Sequence, residues 1–227
     1  MDSTAIWITL ALFVAFYVLI EYVGKGSLKG NREAFRHKCR KGTGEKLADK
    51  LLEEKGVQVE KVNKDSAFDD RFVYTRNQLQ ISKTGRKSNL MVAVHAILRE
   101  ACRAVLYSES RGSQFIMYLV WDILKTATLI AVPLFFVGLI IRNNYVLFGC
   151  LISFFILGMY AVLLGRNEKK ISAMCEEFAE REKLFDEAAL TEYRKLNEVA
   201  EYAPLYGTIN AIRQINVIID ILTRRKG

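Results

Sequence analysis

The chain has few of the residues that mark most catalytic or secreted proteins. Only two of its 227 residues are histidines, His37 and His95, and they lie far apart, so no helix carries a histidine pair. Its four cysteines, Cys39, Cys102, Cys150 and Cys175, include no CxxC pair and suggest no disulfide framework. Two prolines and 14 glycines leave no Pro- or Gly-rich linker. The glycine-bearing strings GKGSLKG and KGTGEK lack the spacing of a phosphate-binding P-loop, and no GxSxG elbow occurs. No local signature supports a Ser/His/Asp arrangement. Nucleic acid is not the expected partner either. The basic residues behind the net charge of +8 are interleaved with acids, and no recognised nucleic-acid motif appears.

Apolar residues are abundant. They make up 51% of the chain and gather in long runs, the pattern of a membrane protein with one modest polar domain. Residues 5–23 carry a single charge, Glu21, and are long enough to cross a bilayer. They lack a basic flank before them and a small-residue cleavage pattern after them, so they are expected to form an uncleaved anchor. The strip that follows is dense in Lys and Arg, which places it on the cytoplasmic side and the N-terminus outside. His37 and Cys39 in this strip form an HxC pair. It is a conceivable metal pair, but a solvated basic juxtamembrane segment is the preferred reading.

Residues 43–56 show helical spacing at Leu47, Leu51 and Leu52, with Thr43 as cap, an incomplete capping box, and Gly56 as terminator. VQVEKV then alternates as a strand does, and RFVYTRNQLQIS reads as a hairpin turning near Thr75–Asn77. Thr84 to Lys87 reads as a basic loop. Residues 88–107 form a largely apolar helix with a polar stripe, His95, Arg99 and Arg103, spaced four apart on one face.

Two further apolar stretches, 114–141 and 145–164, joined only by Arg142, Asn143 and Asn144, predict a transmembrane hairpin. Asp122 and Lys125 interrupt the first. They can pair on one face, but the preferred reading is interfacial, with Lys125 reaching the headgroups beside an aromatic belt of Tyr118 and Trp121. Residues 171–202 read as one long amphipathic helix, and Glu176, Glu177, Glu180 and Glu182 as its solvated face. Residues 205–222 are too polar for a clear span. They are expected at the interface or against other helices, with a sheltered fourth span as the alternative. The expected organisation is an anchor at 5–23, a cytoplasmic α+β domain at 24–113, a transmembrane hairpin at 114–164 and cytoplasmic amphipathic helices at 165–227. The fold class is mainly α with a small β-hairpin, in an integral membrane protein.

The order of these parts resembles the membrane-anchored neutral zinc metallopeptidase family of bacteria. TGEKLADKLL (43–52) is similar to that family's TGxxxAxxxL helix, and DRFVYTRNQLQIS (70–82) to its hairpin. SNLMVAVHAILREACRA (88–104) resembles the stretch that holds its HExxH motif. NEKKIS (167–172) is similar to its VEFNAS element, and EYRKLN (192–197) to its ARKVLN element. In such a motif two histidines one turn apart bind Zn²⁺ and the Glu beside the first activates the metal-bound water.

Matched from Ser88, those three positions are Ile97, Leu98 and Ala101, none of which can act. Sliding the match to His95 puts Ala96 at the base position and a cation, Arg99, at the second ligand. The third ligand of the family corresponds to Glu168. The resemblance therefore implies a zinc-free, catalytically inactive relative. Its partners would be the bilayer and another membrane protein, such as an active paralogue, and its place the bacterial plasma membrane. The alternative is an enzyme with a metal site rebuilt from His95, Cys102 and Glu168. A third reading is a lipid sensor acting through the basic cytoplasmic face.

Overall fold

A computed structural model of the protein describes residues 34, 36–66 and 70–201. The expected anchor at 5–23, the start of the basic strip and the final segment 205–222 lie outside the described residues. Within them the chain is mostly helical, with one three-stranded sheet.

Helix α1 (Gly44–Glu54) follows Thr43, whose side chain makes no cap hydrogen bond. Leu47, Ala48, Leu51 and Leu52 recur at helical spacing and are buried together. Gly56 ends the helix at φ +65°, and Val57 N–H donates to the Leu52 carbonyl to close the turn.

The sheet holds β1 (Glu60–Asn63), β2 (Arg71–Val73) and β3 (Gln78–Ile81) in the order β1-β3-β2. The β2–β3 hairpin is antiparallel, pairing Phe72 with Leu79, and β1 runs parallel to β3. Strand β1 starts later than the alternating run VQVEKV suggests, because Val57 is drawn into the cap of α1. Asn77 takes a left-handed conformation in the turn, which asparagine tolerates better than most residues.

The expected loop 84–87 is instead a one-turn helix, α2 (Lys83–Lys87). Ser82 caps it, its Oγ accepting from Gly85 N–H at 3.1 Å. Asp70 in turn accepts from Ser82 N–H and Oγ–H, tying the cap to the start of the hairpin.

Helix α3 (Met91–Glu109) is the centre of the polar unit. Val94, Ile97, Leu98, Ala101 and Cys102 are completely buried and join one core with Leu47 and Leu51 of α1 and Leu79 and Ile81 of β3. A single turn residue, Ser110, separates α3 from α4 (Arg111–Ile140), which continues through Pro133. Helix α5 (Asn144–Arg181) is continuous over 38 residues. It does not break between the apolar and amphipathic stretches, as the sequence reading expected. The break comes later. Lys183 turns left-handed, Leu184 and Phe185 are buried, and Asp186 accepts from Ala189 N–H at 2.9 Å to start α6 (Glu187–Glu201).

The described residues fall into two compact units. One comprises 34–118 and 166–201 and holds the sheet and α3; the other comprises 119–165. In the second, Asn143 caps α5 by accepting from Tyr145 and Val146 N–H. A Cβ at Gly138 would lie 3.0 Å from Val146 Cγ1, so the helices approach closely there. Cys150 packs with Ala131, Phe135 and Leu147, facing a helix. Lys125 lies over the Trp121 ring at 5.9 Å, and Trp121 stacks with Tyr160. Among the described residues one helix, Asn144–Arg181, is long and apolar enough by length and composition to cross a membrane.

Candidate functional site: a buried polar seam on one side of α3

Helix α3 has two buried sides of different chemistry. Ile97 is on the apolar side. Its Cδ1 sits 3.1 Å from where a Gly44 Cβ would be and 2.2 Å from where a Gly85 Cβ would be. Only glycine admits the isoleucine at Gly85. Ile97, Leu98 and Ala101, the positions that the first alignment equates with ligands and base, are all fully buried in the apolar core.

The second side carries His95, Arg99, Cys102 and Arg103, which meet residues from α5 and α6. Arg99 donates to Glu168 through Nη2 and to Ser172 Oγ through Nη1, the latter at 2.9 Å. It also reaches the Ala200 carbonyl at 3.3 Å. Arg103 grips both oxygens of Glu168, at 2.8 and 3.0 Å, and pairs with Glu100 one turn back. Glu100 accepts from Phe72 N–H at 2.7 Å, which links the seam to the sheet edge.

His95 Nε2 lies 3.0 Å from Asn197 Oδ1. Since that oxygen is an acceptor, Nε2 carries a proton. Asn197 Nδ2 donates to Glu176 at 3.2 Å. Glu168, Ser172 and Cys175 recur at i, i+4 and i+7 on α5, so one face of that helix serves the whole seam.

Charge is balanced within the seam. Arg99 and Glu168 are both almost completely buried, and two guanidinium groups face the carboxylates of Glu168 and Glu100. Burial works against the charge on Arg103, but Glu100 and then Glu168 outweigh it and hold its pKa above the ordinary value. Burial, reinforced by the charge on Arg99 and opposed by the Asn197 bond, lowers the His95 pKa from 6.5 to about 3. A buried imidazole so placed stays neutral through the physiological range.

These residues do not fit a zinc site. Residues 97 and 99 lie two apart on a helix, so their side chains diverge by roughly 200°. Glu168 therefore comes to Arg99 and Arg103 rather than to Ile97. The alignment that places His95 first, then Ala96, then Arg99 is the one whose helical face meets Glu168. In it the second ligand is a cation, and both Glu168 oxygens are held by guanidinium groups.

The trio His95, Cys102 and Glu168 is not brought together as one ligand set. His95 engages Asn197, Glu168 engages the arginines, and Cys102 faces Cys175. Among the described residues no group of three or more His, Cys, Asp or Glu side chains is placed to hold a metal ion. The HxC pair is likewise divided by its backbone. Met91 N–H donates to the His37 carbonyl, Cys39 N–H donates to the Asn89 carbonyl, and the Cys39 side chain is buried in the core.

The acidic run on α5 is mixed in role. Glu180 pairs with Arg194 and Glu182 with Lys50, whereas Glu176 turns in to Asn197. Asn197, Ser172 and Cys175 are partners of α3 that no sequence motif marks. Their spacing relative to Glu168 and Tyr193 was the available signal.

Compared with known proteins, the chain matches no family model, no curated protein and no solved structure.

Proposed function

We propose that this chain is a membrane protein with a zinc-metallopeptidase-like layout, that it carries no metal chemistry, and that it serves as a binding or assembly subunit of a membrane complex. One observation carries the reading: the carboxylate of Glu168 is occupied by Arg99 and Arg103 at the place where a metal-binding helix would need lone pairs. A guanidinium supplies positive charge there without coordination chemistry. Membrane residence is supported by the length and apolar character of α5 and by large exposed apolar side chains on α4 and α5, such as Ile140, Phe148, Phe155 and Val162. The Lys and Arg residues flanking the apolar stretches favour a cytoplasmic polar unit and an external N-terminus, in a bacterial plasma membrane. The partner we propose is another membrane protein, such as an active paralogue, bound through the helical hairpin and the amphipathic helices.

Metal content of the purified full chain tests the inactive reading. Wild type is expected to hold no stoichiometric zinc, whereas Arg99→His, which sets a second imidazole one turn from His95 and facing Glu168, is expected to gain affinity for it. Stoichiometric zinc in wild type that disappears in His95→Ala would overturn the reading. Size-exclusion of the detergent-solubilised native complex tests the assembly role. A stoichiometric membrane-protein companion is expected, and a chain that elutes alone at every mild detergent tried refutes it.

A further inference from the structure

The seam contains a pair of sulfur atoms that the charge network does not use. Cys102 on α3 and Cys175 on α5 lie 3.3 Å apart, sulfur to sulfur, although 73 residues separate them in the chain. Both side chains are completely buried. A disulfide needs its sulfur atoms at about 2.05 Å. The two sulfur atoms are therefore little more than an ångström beyond bonding distance. The other two cysteines are placed differently: Cys39 enters the core from the segment that precedes α1, and Cys150 belongs to the other compact unit.

We propose that Cys102 and Cys175 are a modification site, a dithiol that a small uncharged peroxide converts to a reversible disulfide clamping α3 to α5. Tyr193 from α6 completes the surroundings. Its hydroxyl is buried with no hydrogen-bond partner. The neighbouring guanidinium groups of Arg99 and Arg103 favour a thiolate at Cys102. The hydrogen bond shared with Cys175 and burial act more strongly in the other direction and hold that thiol well above its ordinary range. The site is therefore slow to react and stays reduced until peroxide is sustained.

The chemistry balances. Cys102 gives up its proton and its sulfur attacks one oxygen of hydrogen peroxide. The O–O bond breaks, the departing hydroxide takes a proton and leaves as water, and Cys102 becomes a sulfenic acid. The Cys175 sulfur then attacks the Cys102 sulfur and loses its own proton. The S–O bond breaks and a second water leaves. Two thiols are oxidised to one disulfide, and one peroxide is reduced to two waters. With both sulfurs at zero exposure, the oxidant enters only when α3 and α5 part transiently, which admits a molecule as small as hydrogen peroxide and excludes a bulky disulfide reagent.

Mass mapping of the full chain tests this. The protein, held in detergent, is exposed to hydrogen peroxide, denatured, alkylated and digested without reductant. The expected product is a Cys102–Cys175 cross-linked peptide lacking two hydrogen atoms, reversed by dithiothreitol, with Cys39 and Cys150 still alkylated. The double variant Cys39→Ser/Cys150→Ser is expected to give the same linkage. Recovery of Cys102 and Cys175 as free thiols or as separate sulfinic acids overturns the proposal. So does a preference for any other cysteine pair.

Discussion

Replacing His95 with glutamine should flatten the acid side of the protein's stability curve. His95 is buried and its folded-state pKa is about 3, against 6.5 when exposed. Between those two values the unfolded chain binds a proton that the folded chain refuses, so stability rises with pH across that window. The contribution is complete above pH 6.5 and is lost as the pH falls toward 3. The full slope is about 1.4 kcal/mol per unit, but the unfolded imidazole is only half protonated at pH 6.5, so lowering the pH from 6.5 to 4.5 should remove about 2 kcal/mol through this residue alone. Glutamine can donate to Asn197 Oδ1 as the neutral imidazole does, but it does not titrate. Denaturant midpoints of the full chain in mild detergent, taken at several pH values from 7.5 to 4.5, give the comparison. Carboxylates titrate in both proteins, so the difference between the two curves isolates the imidazole. Parallel curves would refute the reasoning, because they would mean that the ring is reachable by protons in the folded state.

Two further outcomes follow from the packing around α3. Gly85→Ala should cost about 1–3 kcal/mol by overpacking against Ile97 Cδ1, and Ile97→Val, which deletes that atom, should recover part of the loss; thermal unfolding of the single and double variants shows whether the effects are non-additive. Glu168→Gln should cost about 3–5 kcal/mol because it strands Arg99 at 7% side-chain exposure, whereas Arg103→Met should cost less than half of that, since Arg103 is 20% exposed and its removal leaves Glu168 with Arg99; equal losses in denaturant titrations would show that the two guanidinium groups are equivalent.

Much of the scaffold could be read from the residues. The apolar density of 91–109, the alternation in 71–81 and the leucine spacing of 47–52 each fix a local period that tertiary packing did not override. The one-turn helix α2 escaped because its helicity depends on a remote anchor, Asp70 on Ser82, rather than on its own KTGRK composition. The division of 171–202 escaped for a different reason. Its amphipathic stripe continues through Phe185, yet Phe185 sits in a turn and is buried from there, and the start signal of α6, Asp186 followed by Glu187, lay inside an apparently unbroken helix. At the seam, the polar stripe was visible as a four-residue spacing. Which residues answered it was not, since Glu168, Ser172 and Asn197 come from helices 65 or more residues away. Equating Ile97 and Ala101 with ligands and Leu98 with the base rested on string similarity. The helix geometry instead turns Arg99 and Arg103 toward Glu168 and His95 toward Asn197.

The seam also indexes the helices against one another. Apolar faces such as those of α3 and α5 slide over each other with little preference, because one aliphatic contact resembles the next. A slip of one helical turn, about 5.4 Å, would move Glu168 away from its two guanidinium partners and strand a buried charge, at a cost of about 3–5 kcal/mol. The polar residues thus act as teeth on otherwise smooth cylinders, and the core they interrupt has a single alignment in which every charge finds its partner.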